Sequence, residues 1–348
     1  MSIRDPELKA RPSKVRLKDV ATAAGVALST ASRALSGTGA SEETRAAVLA
    51  ASERLGYRPD PLARALRTRI TGLAGIVVPG ISNPFFAELV EALEAALRPY
   101  GLEMILGDSS GSVEDEARRL DTMIARKVDG LIVVPIHHHA SANALERAAR
   151  SVALVQVDRQ IDGLEADYVG VDNMAGIRAA LEHLKHEGCR SVVFVSETGD
   201  TSTGRARLHA FQSTIGHVAD LKARTPILGS FSYDFGQYAV RKVLHQRRLP
   251  DALLCGADVI ALGASRELGL KGITIPEDIK ISGFDGIFFS ELSDPPLTTL
   301  RQPVATIADE AARLLDARLR GDNSPPHYRE IAPSLIVRRS SSISSDEC

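Results

Sequence analysis

Cysteines and long hydrophobic runs are scarce in this chain of 348 residues. Its three cysteines, Cys189, Cys255 and Cys348, are scattered and odd in number. This argues against a disulfide framework and is typical of reduced thiols in a cytoplasm. No apolar run approaches the roughly 18 residues of a membrane span, and residues 1–14 lack the apolar stretch of a secretory signal peptide. We therefore expect a cytoplasmic protein with no membrane partner.

Signals for catalysis are also missing. The sequence contains no phosphate-binding loop, no nucleophile elbow, and no base paired with a nucleophile at a usable spacing. We therefore expect no enzyme and no cofactor. Hydrophobic residues make up 44% and charged residues 25% of the chain, which is ordinary for a soluble globular protein. The length predicts two or three domains.

Charge is distributed unevenly along the chain. Residues 1–70 hold 13 Lys and Arg against seven Asp and Glu, whereas the whole chain has a net charge of −2. The remainder of the chain is therefore acidic. A basic segment attached to an acidic body is typical of a module that binds phosphate groups, as in nucleic acids.

Residues 16–36 have the pattern of two short helices joined by a tight turn. The apolar residues of the first helix recur at helical spacing: Leu17, Val20, Ala21 and Ala24. Gly25 ends this helix, and a second helix is predicted over about 28–35. Such a pair is a helix-turn-helix, whose second helix enters the major groove of DNA. Taken alone, the same pattern would also suit a small helical hairpin inside a larger core.

A third helix is predicted to begin after the N-cap Ser41 and to end at Gly56. Its apolar face is expected to contain Val48, Leu49, Ala51 and Leu55. Asp60 and Pro61 then begin a hinge helix that ends at about residue 67. Because a helix of under two turns is unstable alone, we expect this hinge to fold only against DNA and its symmetry mate.

Five short motifs lie between residues 16 and 67. They are Asp-Val-Ala-x-x-Ala-Gly-Val at 19–26, Ser-Thr-x-Ser-Arg at 29–33, Thr-Arg at 44–45, Leu-Gly-Tyr-Arg-Pro at 55–59 and Ala-Arg-x-Leu at 63–66. This combination resembles the DNA-binding headpiece of lac repressor family (LacI/GalR) regulators. The resemblance favours the helix-turn-helix over a generic helical hairpin.

The resemblance implies a set of DNA contacts on the second helix, after the third helix and in the hinge. They are Leu28, Ser29, Thr30, Ser32, Arg33, Tyr57, Ala63, Arg64 and Leu66. Arg33 is the best candidate to read a base, because arginine can form a bidentate pair with guanine. Leu28 and Ser29 match the two specificity positions of the family.

The remaining contacts position the protein or deform the DNA. Leu66 matches the leucine that wedges between base pairs from the minor groove, although it could instead pack on the body. Thr30, Ser32 and Tyr57 are expected to contact phosphates, which position without specifying. Alternatively, the apolar parts of Thr30 and Tyr57 fill the small core.

From Gly72 onward, short apolar runs alternate with amphipathic helices. Strands are predicted at 73–78, 102–106, 130–134, 153–157, 191–195, 253–255 and 279–283, and helices at about 84–98, 113–127, 141–150, 173–187, 204–215, 236–247 and 258–269. This alternation predicts doubly wound parallel sheets, and the segment is longer than one core usually supports. The fold class is an N-terminal all-α helix-turn-helix headpiece plus an α/β body of two lobes.

The resemblance implies that this body is like a periplasmic sugar-binding protein, whose chain crosses between its two lobes three times. The expected domains are a disordered arm at 1–14, a headpiece at 15–59, a hinge helix and linker at 60–71, an effector-binding and dimerisation domain at 72–340 and a disordered tail at 341–348. The first lobe is expected at about 72–171 and 302–330, and the second at 172–301 and 331–340.

A ligand cleft is expected between the lobes, because doubly wound sheets bind ligands at the carboxyl ends of their strands. The candidate residues are Phe85, Asp108, Asp158, Arg159, Thr201, Thr203, Arg207, Phe231, Asp258 and Asp285. The resemblance implies ligand contacts for Phe85, Asp158, Thr203, Arg207, Phe231 and Asp285. Aromatic rings with carboxylates and arginines around them suit a polyhydroxylated ligand. Phe86 is expected in the core, and a structural turn is the alternative role for Asp285.

The expected ligand is a sugar or a sugar acid. Ala257 and Asp258 replace the Asn-Asp pair common in sugar-binding members of the family, which removes an amide that holds hydroxyl groups. Arg159 and Arg207 together would tolerate an acidic ligand. The run His137–His139 is expected to be a solvated loop and not a metal site, because consecutive loop residues cannot easily face one ion and no acid or cysteine adjoins them.

The sequence thus predicts a sequence-specific transcriptional regulator of the repressor type. It would bind double-stranded DNA as a homodimer on a palindromic operator, under control of a small-molecule effector bound between the lobes. The alternative is a cytoplasmic solute-binding protein without a DNA role.

Overall fold

The chain divides into two compact units, Met1–Thr71 and Gly72–Cys348. The computed structural model describes residues 15–35, 39–58 and 70–342. Several predictions lie outside the described residues: the arm at 1–14, the hinge with Ala63, Arg64 and Leu66, and the end of the tail at 343–348.

Three helices make up the described part of the first unit. They are α1 (Leu17–Ala23), α2 (Leu28–Leu35) and α3 (Glu42–Leu55). Gly25, in the turn between α1 and α2, has a φ of 68°, a conformation that glycine adopts without steric cost. The hydroxyl of Ser41 caps α3 by accepting a hydrogen bond from the Thr44 N–H at 3.3 Å. These helices confirm the predicted helix-turn-helix.

A small apolar core joins the three helices. Its buried residues are Val20, Ala21, Ala31, Ala34, Val48 and Ala51. The expectation that Leu49 joins this core is wrong, since it is 42% exposed. One residue beyond Val48, it is rotated by about 100° around the helix. Ser52 is buried on the core side instead, and its hydroxyl donates to the carbonyl of Tyr57 at 3.3 Å.

The second unit alternates strands and helices. The helices are α4 (Pro84–Leu97), α5 (Val113–Ala125), α6 (Ala142–Ser151), α7 (Asn173–His186), α8 (Ser202–Ile215), α9 (Tyr233–Leu244), α10 (Asp258–Leu270), α11 (Phe289–Leu292) and α12 (Val304–Leu319). The strands are β1 (Leu73–Val78), β2 (Glu103–Asp108), β3 (Gly130–Val133), β4 (Ala153–Val157), β5 (Asp167–Val171), β6 (Ser191–Glu197), β7 (Lys222–Ala223), β8 (Ile227–Gly229), β9 (Ala252–Cys255), β10 (Lys280–Asp285), β11 (Thr298–Arg301), β12 (Tyr328–Ile331) and β13 (Ser334–Ile336).

The strands form two sheets. The first has the order β12-β5-β4-β3-β1-β2, and the second has the order β13-β11-β10-β9-β6-β7 with β8 also paired to β6. All pairings of the first sheet are parallel. Among the described strands of the second sheet, only β13 pairs antiparallel, with β11. The two sheets confirm the predicted α/β body of two lobes.

Several elements of the body were not among the predicted ones: β5, β7, β8, α11, β11, α12, β12 and β13. The strands among them are two to five residues long, so their apolar periodicity is weak. Helix α12 carries a clear signal, because its buried residues include Ile307, Ala311, Leu314 and Leu315 at helical spacing. It packs against α4 and the first sheet.

Cys189 and Cys255 are buried thiols that take part in no disulfide. Within the described ranges, no helix is both long enough and apolar enough to cross a membrane.

Candidate functional site

The outer face of α2 is the candidate DNA-reading surface. Leu28, Ser29 and Arg33 are exposed on it, and Leu28 is 52% exposed. Thr30 and Ser32 are half-buried beside them. A large apolar side chain and an arginine thus project together from the helix that the sequence assigns to the major groove.

Tyr57 has a structural role in the first unit. It packs against the small core, and its backbone N–H donates to the Ser52 carbonyl at 2.9 Å. Tyr57 therefore contributes to the small core, which is the alternative role named for it above.

A narrow cleft lies between the two sheets of the second unit. Its lining residues come from both lobes: Asn83, Phe85, Phe86, Asp158, Arg159, Thr203, Arg207, Phe231, Ala257 and Asp285. The space left between them is about 10 Å³, which is at the lower limit for one water molecule. The side chains thus fill the cleft, and a sugar-sized ligand needs the lobes or these side chains to move.

Arg207 is the most firmly held charge in the cleft. Its Nε donates to Asn173 Oδ1 at 2.9 Å, and its Nη1 donates to the Gly256 carbonyl at 2.6 Å. The guanidinium also stacks on the ring of Phe284, 3.7 Å from the ring centroid. Nη1 lies 3.4 Å from Asp285 Oδ1. Four contacts therefore fix the orientation of the Arg207 side chain before any ligand arrives.

Asp285 is the last residue of β10 and faces Arg207. Its Oδ1 also accepts a hydrogen bond from Gln302 Nε2 at 2.9 Å. Burial raises the pKa of Asp285 to about 7; Arg207 opposes this rise and the nearby Asp258 adds to it. Its φ of 118° is rare for a residue with a side chain and is typical of strained positions at functional sites.

Arg159 is the least satisfied charge in the cleft. It is 8% exposed, and its guanidinium lies 5.4 Å from the ring centroid of Phe86 and 6.0 Å from that of Phe231. Its Nε is 3.7 Å from Asp158 Oδ2 and has no hydrogen-bond partner among the described residues. Burial lowers the pKa of Arg159, against the opposing effect of Asp158.

Asp158 shares this incomplete pairing. It follows β4 with a φ of 62°, and its Oδ1 is buried without a hydrogen-bond partner in the described part of the chain. Burial raises its pKa, opposed first by Arg159 and then by Arg207. Since buried polar groups are normally hydrogen-bonded, the unpaired atoms of Asp158 and Arg159 point to a polar ligand between them.

The expectation that Asp258 faces a ligand is wrong. The residue is fully buried, and its Oδ2 accepts hydrogen bonds from the Gly286 and Ile287 N–H groups and from Ser290 Oγ. Its Oδ1 accepts from Thr299 Oγ1 at 2.6 Å. These four bonds attach the turn after β10 to α10 and β11. Burial raises the pKa of Asp258 to about 6 in spite of them.

Asp108 and Thr201 also lie outside the cleft lining. Asp108 accepts hydrogen bonds from the N–H groups of Ile81 and Ser110, so it holds the loops at the ends of β1 and β2. Thr201 is the N-cap of α8: its Oγ1 accepts from the Gly204 N–H at 2.9 Å. Both side chains organise loops near the cleft and do not face its interior.

Three lining residues were not among the candidate ligand contacts: Asn83, Phe86 and Ala257. Asn83 caps α4 by accepting from the Phe85 N–H, and Phe86 belongs to the core and the cleft at once. The run Asn-Pro-Phe-Phe that opens a helix after the first strand was the available signal for the first two.

The family comparisons match both parts of the chain. Residues 16–60 match the family described as bacterial regulatory proteins, lacI family. Residues 181–341 match a periplasmic binding protein-like domain.

Similar characterised proteins match along nearly the whole chain. The HTH-type transcriptional regulator DegA of Bacillus subtilis is 30% identical over 335 residues, covering 94% of this chain and 98% of its own. The HTH-type transcriptional repressor PurR of Pasteurella multocida is 31% identical over 327 residues, covering 93% and 98%. The ribose operon repressor of Halalkalibacterium halodurans is 30% identical, covering 92% and 96%.

Solved structures also resemble nearly the whole chain. The lac repressor dimer bound to operator and the anti-inducer ONPF superimposes with a TM-score of 0.85 at 24% identity, covering 95% of this chain and 100% of its own. At 24% identity, this match shows a shared fold and nothing further. The transcriptional regulator CelR in complex with cellobiose has a TM-score of 0.71 at 29% identity, covering 94% and 100%.

Proposed function

The chain belongs to the lacI family of bacterial regulatory proteins, and we propose that it represses transcription as a homodimer whose operator binding is controlled by an acidic, sugar-like effector. The observation that carries the effector part is the buried Arg159 in the cleft, whose Nε has no hydrogen-bond partner in the described chain. We assign DNA binding to the α1–α3 unit and effector binding to the cleft between the two sheets.

The proposed reading of DNA rests on the exposed face of α2. Arg33 would pair with a guanine in the major groove, and Leu28 would contact a thymine methyl group. Thr30 and Ser32 would contact phosphates and set the position of α2. On the basis of the sequence resemblance, Ala63 and Arg64 remain proposed DNA contacts of the hinge, and Leu66 remains the proposed minor-groove wedge.

The proposed homodimer follows the lac repressor, which was solved as a dimer on its operator. Phe288, Phe289 and Leu292 are each more than half exposed around α11. We propose that this apolar surface packs against a second copy of the chain. Two copies would then present two α2 helices to the two halves of a palindrome.

The proposed effector carries both hydroxyl groups and a negative charge. Asp158 and Asp285 offer acceptors for hydroxyl protons, and Phe231 offers an apolar face for a sugar ring. Arg159 and Arg207 would bind a carboxylate, with which arginine can form two parallel hydrogen bonds. A neutral sugar would leave the Arg159 guanidinium buried and incompletely paired, which is costly.

We expect the substitution Arg159→Gln to weaken the preference for acidic over neutral sugars. The parent protein should bind glucuronate or a related sugar acid more tightly than glucose, and the variant should lose about tenfold or more of the affinity for the acid. Isothermal titration with paired acids and neutral sugars measures this. Arg178→Gln, an exposed arginine on α7, is the matched control. Unchanged acid affinity in the Arg159 variant would contradict an acidic effector.

Two other functions are disfavoured. The relatives are transcriptional regulators, so a solute-binding protein without a DNA role is not favoured. We propose that the chain has no catalytic activity and acts in the cytoplasm, where the DNA of a bacterium lies.

A further inference from the structure

A cluster of two histidines and one aspartate lies apart from the residues that line the cleft. His138 and His139 are on the loop after β3, and Asp162 is on the loop after β4. One possible ligand atom from each residue lies within 4.8 Å of those of the other two. The sequence argument against a metal relied on the absence of an acid beside the histidines, but the fold brings Asp162 to them from a separate loop.

The hydrogen bonds of His138 prepare it to be a ligand. Its Nδ1 lies 2.8 Å from the backbone carbonyl of Asp200. Because a carbonyl only accepts hydrogen bonds, Nδ1 carries a proton, and in the neutral ring Nε2 then keeps its lone pair. A histidine that donates one ring N–H to a backbone carbonyl while the other nitrogen is free has the arrangement found in most metal-binding histidines.

The neighbouring His137 supports the loop and is not part of the cluster. Its Nδ1 accepts hydrogen bonds from the backbone N–H groups of His139 and Ala140 at 3.1 and 3.2 Å. These bonds fold the loop back on itself. His138 and His139 lie side by side, with ring centroids 4.1 Å apart. Each offers a ring nitrogen within 4.8 Å of the other's and of an Asp162 oxygen, so these two consecutive residues can both face one ion.

Arg205 competes for the carboxylate of the cluster. Its Nη1 and Nη2 donate to Asp162 Oδ2 and Oδ1 at 2.8 and 2.6 Å. Arg205 lies on α8 in the second lobe, whereas the three cluster residues lie in the first. An ion bound by Asp162 must therefore displace this ion pair or share one carboxylate oxygen with it.

We propose that His138, His139 and Asp162 bind Zn²⁺ or a similar divalent transition-metal ion, in exchange for the ion pair between Asp162 and Arg205. Two imidazole nitrogens and one carboxylate oxygen are ligands that suit Zn²⁺ and not Mg²⁺ or Ca²⁺. The side chains of His139 and Asp162 are exposed, so they can adjust to metal–ligand distances of about 2.0–2.2 Å. Binding would exchange a contact between the lobes for one within the first lobe.

The test is an isothermal titration calorimetry experiment in which Zn²⁺ is added to the full chain without a histidine tag. We expect one ion per chain. The variants His138→Ala, His139→Ala and Asp162→Asn should each weaken binding by about tenfold or more, whereas Arg205→Gln should bind several-fold more tightly because the competing cation is gone. His217→Ala, an exposed histidine of the second lobe, is the matched control and should not change the affinity.

Co²⁺ in place of Zn²⁺ provides a spectroscopic check of the ligands. Visible bands without a sulfur charge-transfer band are expected in the parent and should be lost in His138→Ala. A sulfur band would assign the ion to a cysteine and overturn the proposal. Equal affinity in the parent, His138→Ala and His139→Ala would overturn it as well, and so would weaker binding by Arg205→Gln.

Discussion

Replacing Arg207 by glutamine is expected to lower the affinity for the effector by about 30-fold or more and to abolish the effector's influence on operator binding. The guanidinium is held by Asn173, Gly256 and the ring of Phe284, so the side chain is oriented before the ligand binds. Truncating one member of a buried charge pair typically costs about 2–5 kcal/mol, and about 1.4 kcal/mol corresponds to tenfold. Titration calorimetry with the effector and an operator-release assay measure both effects.

A loss of effector binding must be separated from a loss of folding, because the variant leaves Asp285 without its cationic partner. The double variant R207Q/D285N removes that unpaired carboxylate and should recover thermal stability without recovering effector binding. Operator binding in the absence of effector should persist in both variants, because Arg207 lies outside the α1–α3 unit. If R207Q released operator at the same effector concentration as the parent, Arg207 would not be a ligand contact.

The rule that doubly wound sheets bind ligands at the carboxyl ends of their strands located the cleft but could not rank its carboxylates. Asp258 and Asp285 each follow a predicted strand, so this rule treats them alike, and only the family resemblance singled out Asp285. The fold gives Asp258 four hydrogen bonds to the protein, whereas Asp285 faces Arg207 and the cleft. A carboxylate that accepts hydrogen bonds from the protein's own backbone N–H groups is not available to a ligand. The fold brings those N–H groups together, and no local sequence pattern shows them.

Elements and turns were easier to predict than partners from distant loops. Gly25 and Ser41 mark helix ends through local conformational preferences, and the structure has those ends. Asp162 meets His138 only because β3 and β4 are neighbours in the first sheet. Phe86 has both a core role and a cleft role, which a single apolar position in a sequence cannot distinguish.

Contacts between the lobes supply the parts of a switch. The Gln160 N–H donates to Ser202 Oγ at 2.9 Å, and the Phe288 N–H donates to Glu88 Oε1 at 3.0 Å. Each bond joins one lobe to the other, as Arg205 and Asp162 do. An effector that binds one arrangement of the lobes more tightly than another would shift the balance of these contacts. The size of the shift is limited by that difference in affinity.

Replacing Arg33 by alanine is expected to remove sequence recognition at one position of each operator half-site while leaving non-specific DNA binding almost unchanged. A bidentate contact from arginine to guanine contributes about 1–3 kcal/mol of discrimination, so affinity for the best operator should fall by about 5- to 150-fold for each of the two half-site contacts that the dimer loses. Since Arg33 is exposed on α2 and absent from the core, the loss should not come from unfolding. Fluorescence anisotropy on an operator obtained by selection from random DNA measures the affinity.

The control for this prediction is Ser32→Ala on the same helix, which removes a proposed phosphate contact. That variant should weaken binding to every sequence by a similar factor. With Arg33→Ala, the parent operator and an operator changed at the contacted guanine should bind equally well. The salt dependence should keep its slope, because a base contact releases no counterion from a phosphate. A uniform loss on all sequences with a shallower slope would instead show that Arg33 contacts a phosphate.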